Sequence, residues 1–337
     1  MTDPRGPGSG QPVLVTGGSG FVGGYLVENL VADGYAVRAL ARPGADTQRL
    51  ERIATVVRGD LSDVDALERA ATGCSRVFHV AAVTSTSARS KREYEATNVA
   101  GPANVAIAAA RAGVERLVHV SSCGVYGFRC PSPADESAPL APDTPYRRSK
   151  AGGERAVMAA AERSGLAVVI ARLSSVYGPR ARNWVRICRT IQEGRFRMIG
   201  DGRNRVHLVH VDDIVAGLRA CADTPGIEGR PFNLAGPAPI SMGELVDTLS
   251  RALEVESNRA RWPAFPFRLA RLFDLTAAHT IGHRPRRLGS YDLFLADRCF
   301  DITQARIELG YQPRVSAEEG MARLALHYRA EGLLRPD

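Results

Sequence analysis

The stretch PVLVTGGSGFVGGYLVENLVADGYAVRALAR, residues 12–42, joins an apolar run to a glycine-rich turn and a segment with helical periodicity. Residues 13–16 are typical of a buried strand, and large apolar residues recur at helical spacing from Phe21 to Val31. A second strand pattern, residues 35–41, follows Gly34. This order predicts the first β-α-β unit of a doubly wound parallel sheet.

The turn carries glycines at positions 17, 20 and 23, and the spacing can equally be counted from Gly18. Glycine has no Cβ, so the backbone can turn tightly and approach a pyrophosphate that rests on the positive end of the following helix. A bare glycine pattern could also be a plain turn. Because the flanking strand and helix stand where a dinucleotide site requires them, we expect Gly17, Gly20 and Gly23 to contact a cofactor.

Arg42 stands near the position where dinucleotide sites usually carry an acidic residue for the ribose 2′-hydroxyl. An arginine there can pair with the 2′-phosphate of NADP, with Arg38 nearby. A solvated arginine at a strand end is the alternative in so arginine-rich a chain. We therefore expect NAD(P), with NADP slightly favoured over NAD.

Strand and helix patterns continue to alternate beyond the first unit. Strand patterns cover residues 55–57, 76–80 and 116–121, and helix patterns cover 63–71 and 91–112. Such alternation predicts an α/β fold with helices on both faces of a parallel sheet. Since ligands bind at the carboxyl ends of such strands, the polar segments that follow them are the expected site.

The chain has 337 residues and a formal charge of +8, and its composition argues against several classes of partner. Its arginines are dispersed and no basic helix alternates with aromatic residues, so we expect small anionic molecules as partners and no nucleic acid. Six cysteines without a CxxC pair suggest reduced thiols in a cytoplasmic protein. No run of about 18 apolar residues exists, and no membrane partner is expected. Residues 1–11 are expected to be a disordered leader.

The sequence DTPYRRSKAGGERAVMAAAERSG, residues 143–165, predicts a helix with Thr144 as N-cap and Gly165 as its stop. Tyr146 and Lys150 are four residues apart and share a face of that helix. Arg147 and Arg148 lie on other faces, where either cation is expected to serve.

Tyr146 could act as a base near neutral pH only if its pKa, about 10, fell by roughly three units, or about 4 kcal/mol. An ammonium about 4 Å away supplies on the order of 4 kcal/mol at an effective dielectric near 20. A chance surface pair is the alternative. However, only Lys91 and Lys150 among 44 cationic residues are lysines, and one of them has this spacing. Tyr146 and Lys150 are therefore predicted to be catalytic and to contact the cofactor.

Together with these residues, the motifs TGGSGFVG (16–23), SSCGVYG (121–127), YRRSK (146–150) and RLSSVYGP (172–179) resemble those of a known family. It is the extended short-chain dehydrogenase/reductases, specifically the NAD-dependent epimerase/dehydratase group. The resemblance covers nearly the whole chain. It implies a Rossmann fold with a smaller, interleaved C-terminal substrate domain, and a homodimer.

The resemblance also implies roles for individual residues. Ser122 would hydrogen-bond the reacting oxygen, Tyr146 would be the acid/base, and Lys150 would lower its pKa. Further cofactor contacts would be Phe21, Val22, Asp60, Leu61, Val80, Ala81, Ala82, Val83, Thr84, Asn98 and Ser174. Substrate contacts would be Thr84, Ser122, Tyr146, Arg180 and Asn183.

Two departures from the family patterns narrow the reaction. Cys123 and Gly124 replace the Asp and Glu of 4,6-dehydratases, which disfavours dehydration. Residues 206–208 replace the Arg-Asp-Phe of nucleotide-sugar epimerases and look more like the 3β-hydroxysteroid dehydrogenase branch. Against this, eight arginines in residues 180–205 could hold a diphosphate.

We expect reversible hydride transfer at a secondary alcohol, with a nucleotide sugar as the leading substrate. A 3β-hydroxysteroid-type dehydrogenase or ketoreductase is the alternative, and a non-catalytic cofactor-binding protein is a third possibility. No metal is expected, because His207 and His210 should lie on opposite faces of a strand. Asp212 and Asp213 are expected to cap the next helix.

The domain boundaries follow from the same patterns. Residues 12–178 and 207–236 are expected to form the NAD(P)-binding domain. Residues 179–206 and 237–337 are expected to form the substrate-binding domain.

Overall fold

The structure, a computed structural model, describes residues 12–87, 90–280 and 288–335. The expected leader, residues 1–11, lies outside the described residues. The strands are β1 (Val13–Thr16), β2 (Val37–Ala41), β3 (Thr55–Arg58), β4 (Arg76–His79), β5 (Arg116–Ser122), β6 (Ala167–Leu173), β7 (Ser175–Tyr177), β8 (Met198–Ile199), β9 (Arg205–Val206), β10 (Leu208–His210), β11 (Pro231–Leu234), β12 (Ile240–Ser241) and β13 (Arg261–Trp262).

The helices are α1 (Phe21–Ala32), α2 (Gln48–Glu51), α3 (Val64–Ala71), α4 (Lys91–Tyr94), α5 (Gly101–Arg111), α6 (Pro145–Ser164), α7 (Val185–Gln192), α8 (Val211–Asp223), α9 (Met242–Ala252), α10 (Ala264–Thr280), α11 (Leu288–Leu295), α12 (Thr303–Leu309) and α13 (Ala317–Ala330). A π-helical segment, Glu95–Ala100, joins α4 to α5, and short 3₁₀ segments span Cys123–Tyr126 and Arg182–Trp184.

Seven strands form one parallel sheet in the order β11-β6-β5-β4-β1-β2-β3. The chain order reverses between β1 and β4, so the strand ends part there and leave a crevice at the carboxyl edge. The predicted α/β fold with a doubly wound parallel sheet is confirmed.

Both faces of the sheet are buried, as a parallel sheet between helices requires. Val13 and Val15 of β1 pack in one apolar cluster, whereas Leu14 packs in another on the opposite face. Helices α1 and α8 contact each other on the first side, and α3, α5 and α6 cover the second. The near-continuous apolar strand sequences follow from this double burial.

The second strand begins at Val37, two residues later than its apolar pattern. The Tyr35 N–H donates to the Leu30 carbonyl at 3.0 Å, and Gly34 has φ of +84°. This backbone closure ends α1 and delays the strand.

A second, smaller layer of structure follows the sixth strand of the sheet. Its core includes Trp184, Met242, Leu245, Met321 and Tyr328, contributed by the 3₁₀ segment Arg182–Trp184, α9 and α13. Between its parts the chain returns to the sheet through α8 and β11. In the part of the chain that the structure describes, no helix is long and apolar enough to span a bilayer.

Candidate active site

The residues predicted to bind cofactor converge on the carboxyl edge of the sheet. Each of the first six strands in chain order ends at a predicted site residue or within two residues of one: Gly17, Arg42, Asp60, Val80, the predicted catalytic Ser122, and Ser174. The Ser174 N–H donates to the Leu234 carbonyl, whereas its buried Oγ has no hydrogen-bond partner among the described residues. An orphaned buried hydroxyl at this edge fits a polar ligand.

The glycine turn packs tightly against the backbone around it. Gly17 has φ of +76°, and a Cβ there would lie 2.6 Å from the Ala81 nitrogen. A Cβ at Gly23 would overlap the Gly17 carbonyl oxygen. The N-cap, Gly20, makes no side-chain capping bond, so the first-turn N–H groups remain available for the phosphates of a dinucleotide.

Arg42 and Arg38 have different surroundings. Arg38 lies against the end of α3, where its guanidinium donates to the carbonyls of Ala70 (3.0 Å) and Thr72 (2.6 Å). Arg42 is exposed at the end of β2, and its guanidinium has no hydrogen bond or ion pair among the described residues. Of the two, only Arg42 is available to a ligand.

Asp60 and Leu61 follow β3 in a tight polar turn. The Asp60 carboxylate accepts from the Ser62 hydroxyl (2.7 Å) and N–H (2.9 Å). These bonds, with Arg42 adding a smaller effect, lower the pKa of Asp60. Leu61 is buried and its carbonyl accepts from Asn104. The exposed Asp60 carboxylate therefore faces the cofactor edge with a negative charge.

Asn98 is a positioning residue, because its side chain is fully engaged by the protein. Its Oδ1 accepts from the Val83 N–H at 2.9 Å, and its Nδ2 donates to the Val83 carbonyl at 2.8 Å and to Ser149 Oγ at 2.9 Å. It therefore fixes residues 80–84 against α6. Thr84, at the end of that segment, is exposed.

Helix α6 begins and ends as predicted. Thr144 accepts from the Arg147 N–H at 3.2 Å, Pro145 occupies the first helical position, and Gly165 ends the helix with φ of 72°. This cap fixes the first turn of α6, which carries Tyr146.

The Ser122 hydroxyl lies close enough to the Tyr146 hydroxyl to influence its pKa. Ser122 Oγ also accepts from the Gly124 N–H at 3.0 Å, which leaves the hydroxyl proton of Ser122 to donate towards the Tyr146 oxygen. Burial raises the pKa of Tyr146, and the nearby Ser122 hydroxyl opposes that rise. The two hydroxyls form a donor pair that a substrate carbonyl or alkoxide oxygen could share.

The predicted lowering of the Tyr146 pKa by Lys150 is not present in the protein alone. Lys150 lies buried beneath the helix, and its Nζ donates to the Val120 carbonyl at 2.7 Å. Its own pKa falls to about 8 because burial disfavours the ammonium, while Glu154 raises it. The ammonium is directed towards the sheet, whereas from the sequence we expected it to lie about 4 Å from the Tyr146 oxygen.

Glu154 bonds two side chains of the sheet on the buried side of Lys150. It accepts from Ser121 Oγ at 2.5 Å and forms a two-point ion pair with Arg172, at 3.1 Å from Nε and 2.8 Å from Nη2. The sequence offered a signal for Glu154, since it stands four residues after Lys150 on the same helix face. Ser149, which bonds Asn98 and the Tyr146 carbonyl, gave no comparable signal.

Two neutral histidines, one on β4 and one on β5, are buried in the same part of the sheet. His79 and His119 stack with ring centroids 5.4 Å apart. Burial, with a smaller effect from Lys150, lowers the pKa of His79 to about 3 and that of His119 well below its usual value. His79 Nδ1 lies 2.7 Å from Thr16 Oγ1, whereas neither ring nitrogen of His119 has a partner among the described residues.

Arg147 is not interchangeable with lysine, contrary to the sequence expectation. It is buried and bonds two carboxylates, Asp143 and Asp292, both at 2.7 Å. Arg271 contacts the same two carboxylates at 2.6 and 2.7 Å. We call these two arginines and two aspartates the tether. The tether joins α10 and α11 to the first turn of α6. Each arginine bonds two carboxylates, which requires a planar side chain with several N–H donors. Arg148 is exposed.

Two of the predicted substrate contacts, Arg180 and Asn183, have different surroundings. Arg180 is bidentate to Glu28, at 3.1 and 3.0 Å, and stacks on the Tyr25 ring at 3.6 Å, so its guanidinium is held against α1. Asn183 is exposed on the 3₁₀ segment Arg182–Trp184. The site therefore gains no cation from Arg180 in this conformation.

The segment that replaces Arg-Asp-Phe is buried. Val206, His207 and Leu208 are all shielded from solvent, and the His207 ring bonds the Gly236 carbonyl (2.9 Å) and the Phe300 N–H (3.3 Å). His210, not the acidic pair, caps α8 by accepting from the Asp212 N–H. The Asp213 carboxylate instead accepts from the N–H groups of residues 314 and 315.

Cys123 and Gly124 cannot replace a dehydratase acid and base. Burial raises the pKa of Cys123, whose thiol donates to the Arg172 carbonyl. A Cβ at Gly124 would lie 3.1 Å from Ser122 Oγ and 3.2 Å from the Arg147 side chain, so a larger residue would crowd the catalytic serine.

This sheet edge, with its glycine turn and its Ser122, Tyr146 and Lys150 set, defines a nicotinamide-dinucleotide-dependent oxidoreductase of the short-chain dehydrogenase/reductase type. The bound nicotinamide supplies the hydride acceptor or donor. With the nicotinamide bound, Tyr146 would be placed to hold the proton at the reacting oxygen, Ser122 to orient that oxygen, and Lys150 to place a positive charge beneath them.

The sequence model of the NAD-dependent epimerase/dehydratase family matches residues 13–235, and the chain belongs to this family. A 2-alkyl-3-oxoalkanoate reductase of Stenotrophomonas maltophilia is 32% identical, over 93% of this chain and 98% of the relative. A dTDP-glucose 4,6-dehydratase of Actinoplanes sp. is 30% identical, over 94% and 98%. The solved structure of MoeE5 with UDP-glucuronic acid and NAD is 28% identical, with a TM-score of 0.74 over 95% of this chain and 99% of that one.

Proposed function

We propose that the protein catalyses reversible hydride transfer between NAD(P) and a secondary alcohol or ketone with net oxidation or reduction, on a substrate that is not a nucleotide sugar. The supporting observation is the state of the arginines expected to hold a diphosphate. Six of the eight in residues 180–205 contact the protein itself, through carboxylates or backbone carbonyls: Arg180, Arg189, Arg195, Arg197, Arg203 and Arg205.

The buried His207 segment supports the same proposal, since it presents no charged side chain where nucleotide-sugar epimerases carry Arg-Asp-Phe. The similarity to a 2-alkyl-3-oxoalkanoate reductase agrees with it. A nucleotide-sugar epimerase is the second candidate, favoured by the likeness to MoeE5. Both candidates use Ser122, Tyr146 and Lys150 in the same way.

Nicotinamide absorbance separates these candidates. The protein is incubated with NAD(H) or NADP(H) and two panels, one of 3-oxoalkanoates and aromatic ketones, the other of UDP- and dTDP-sugars. We expect net consumption of reduced cofactor with a ketone. Formation of sugar isomers without net change of absorbance would overturn the proposal in favour of the epimerase.

Tyr146→Phe tests the assigned acid/base. Because the variant keeps the ring but loses the proton at the reacting oxygen, turnover should fall by at least about 100-fold, within the usual range for acid/base catalysis. Cofactor affinity, measured by nicotinamide fluorescence, should change little. Turnover at the wild-type rate would show that another group moves the proton.

The exposed guanidinium of Arg42 supports the preference for NADP. A charge-assisted bond to the 2′-phosphate contributes about 1.5–3 kcal/mol, so Arg42→Ala should weaken NADPH binding by roughly 10- to 100-fold. NADH binding is the internal control and should stay unchanged. An equal loss for both cofactors would contradict a 2′-phosphate contact.

A further inference from the structure

The surface around α10 concentrates the exposed apolar side chains of the molecule. Eight large hydrophobic residues are exposed among those that the structure describes, and five of them lie within residues 262–273. Trp262 is 51% exposed, Phe265 68% and Leu269 49%, and Leu272 and Phe273 are also exposed. Single exposed hydrophobics are ordinary, but a contiguous group of this size marks an interaction surface.

Helical geometry places four of these residues on one side of α10, whereas Trp262 precedes the helix and its ring stacks on that of Phe267, with centroids 5.9 Å apart. Residues 265, 269, 272 and 273 follow the spacing of a single face, opposite the face of residues 264, 267 and 271 that packs inward. The tether holds the inner face, because Arg271 bonds Asp143 and Asp292 and stacks on the Phe128 ring at 3.5 Å. The apolar face is therefore fixed outwards.

The same surface is basic. Residues 257–273 contain four arginines and no acidic residue. Arg271 belongs to the tether and Arg259 forms an ion pair with Asp247 at 3.7 Å, whereas Arg261 and Arg268 are exposed. Arg268 lies at the border between the two faces of α10, where its long side chain can reach sideways to an anion while its neighbours stay in an apolar phase.

We propose that Trp262, Phe265 and Leu269, flanked by Arg261 and Arg268, dock the protein on the surface of an anionic lipid bilayer. A helix with an aromatic and aliphatic face bordered by arginines lies in the plane of the headgroups with its apolar side buried. Anionic headgroups match the positive charges of Arg261 and Arg268. This peripheral docking departs from the expectation of no membrane partner, which rested on the lack of a spanning run.

The test uses the full-length protein and vesicles of phosphatidylcholine, with or without about one third phosphatidylglycerol. Trp262 and Trp184 are the two tryptophans of the chain, and Trp184 is buried in the folded protein. We expect the tryptophan emission to shift to shorter wavelength with anionic vesicles, and Trp262→Phe to lose that shift. High salt should weaken the binding.

Matched variants distinguish this surface from general stickiness. Phe265→Ser with Leu269→Ser should weaken co-sedimentation with anionic vesicles at least tenfold, and so should Arg261→Gln with Arg268→Gln. The control is Ile307→Ser with Leu326→Ser, since those residues are 76% and 68% exposed elsewhere, on α12 and α13. The control should bind as the wild type does.

Three results would overturn the proposal. They are equal binding to neutral and anionic vesicles, an equal loss in the control, and a size-exclusion profile in which the Phe265 and Leu269 changes dissociate a dimer that does not bind vesicles. The last result would assign the surface to a second copy of the chain. None of them depends on which substrate the active site takes.

Discussion

At the scale of single residues, Lys150 shows why the sequence uses a lysine where it otherwise uses arginine. Its Nζ fits between α6 and the sheet and donates to the Val120 carbonyl, among the neutral rings of His79 and His119. A buried lysine can adjust its pKa, here to about 8. A guanidinium cannot deprotonate and has five N–H groups to satisfy.

Lys150→Arg should therefore reduce turnover by at least about 100-fold, because a larger cation would displace the packing beneath the acid/base. The chain offers a matched control in its other lysine, since Lys91→Arg changes an exposed side chain on α4. Steady-state kinetics and cofactor titration with both variants check this. Wild-type kinetics in Lys150→Arg would show that any cation serves at position 150.

The site shows how far residue patterns could be read without a structure. The positions of the glycine turn, Arg42 and the Tyr146–Lys150 pair were predictable, because sequence-local rules place them at strand ends or on one helix face. Ser122 was predicted only through the resemblance to the family. The use of Asn98 and Arg147 by the protein itself was not, because their partners lie on distant segments. Asp292 stands 145 positions after Arg147, and no local pattern joins them.

At the scale of elements, the contact between the π-helical segment Glu95–Ala100 and α6 fixes the cofactor edge. A Cβ at Gly153 would overlap the Asn98 carbonyl oxygen, so only glycine lets the two backbones approach. The same Asn98 holds Val83 through both backbone groups. The π-helical turn and Gly153 thus act together to position residues 80–84.

Gly153→Ala should destabilise the protein by about 2–3 kcal/mol, as overpacking does in a close contact. It should also weaken cofactor binding, since Asn98 must move and Val83 moves with it. Urea unfolding and nicotinamide fluorescence measure the two effects. The control is Gly152→Ala, whose Cβ would meet the side chains of Val99 at 3.1 Å and Arg155 at 3.9 Å rather than a backbone carbonyl. If both variants lose the same stability, the backbone contact is not the cause.

The boundaries of elements were less predictable than their existence. The pattern over residues 91–112 indicated one helix, and the structure interrupts it with the π-helical segment. The turn at Gly34 moved the start of β2, and a histidine rather than an aspartate caps α8. Tertiary contacts decided each case, whereas periodicity decided only the type of element.

At the scale of the whole molecule, the parallel sheet buries two histidines that must stay neutral. His79 and His119 lie on neighbouring central strands, and burial lowers the pKa of His79 from 6.5 to about 3. In the unfolded chain both would bind a proton as the pH falls below about 6.5. The unfolded state then holds more protons than the folded state, so stability falls between pH 6.5 and pH 3.

Each histidine that stays neutral in the folded protein should lower the free energy of unfolding by about 2 kcal/mol as the pH falls from 7 to 5. This loss adds to the effects of other groups. His119→Phe tests this, because the His119 ring has no hydrogen-bond partner among the described residues and a phenyl ring fills a similar volume. Urea unfolding at the two pH values should show a smaller loss for the variant, by about 2 kcal/mol. If His119→Phe also loses as much as the wild type, His119 takes up a proton in the folded protein, and the buried layer beneath Lys150 is charged in acid.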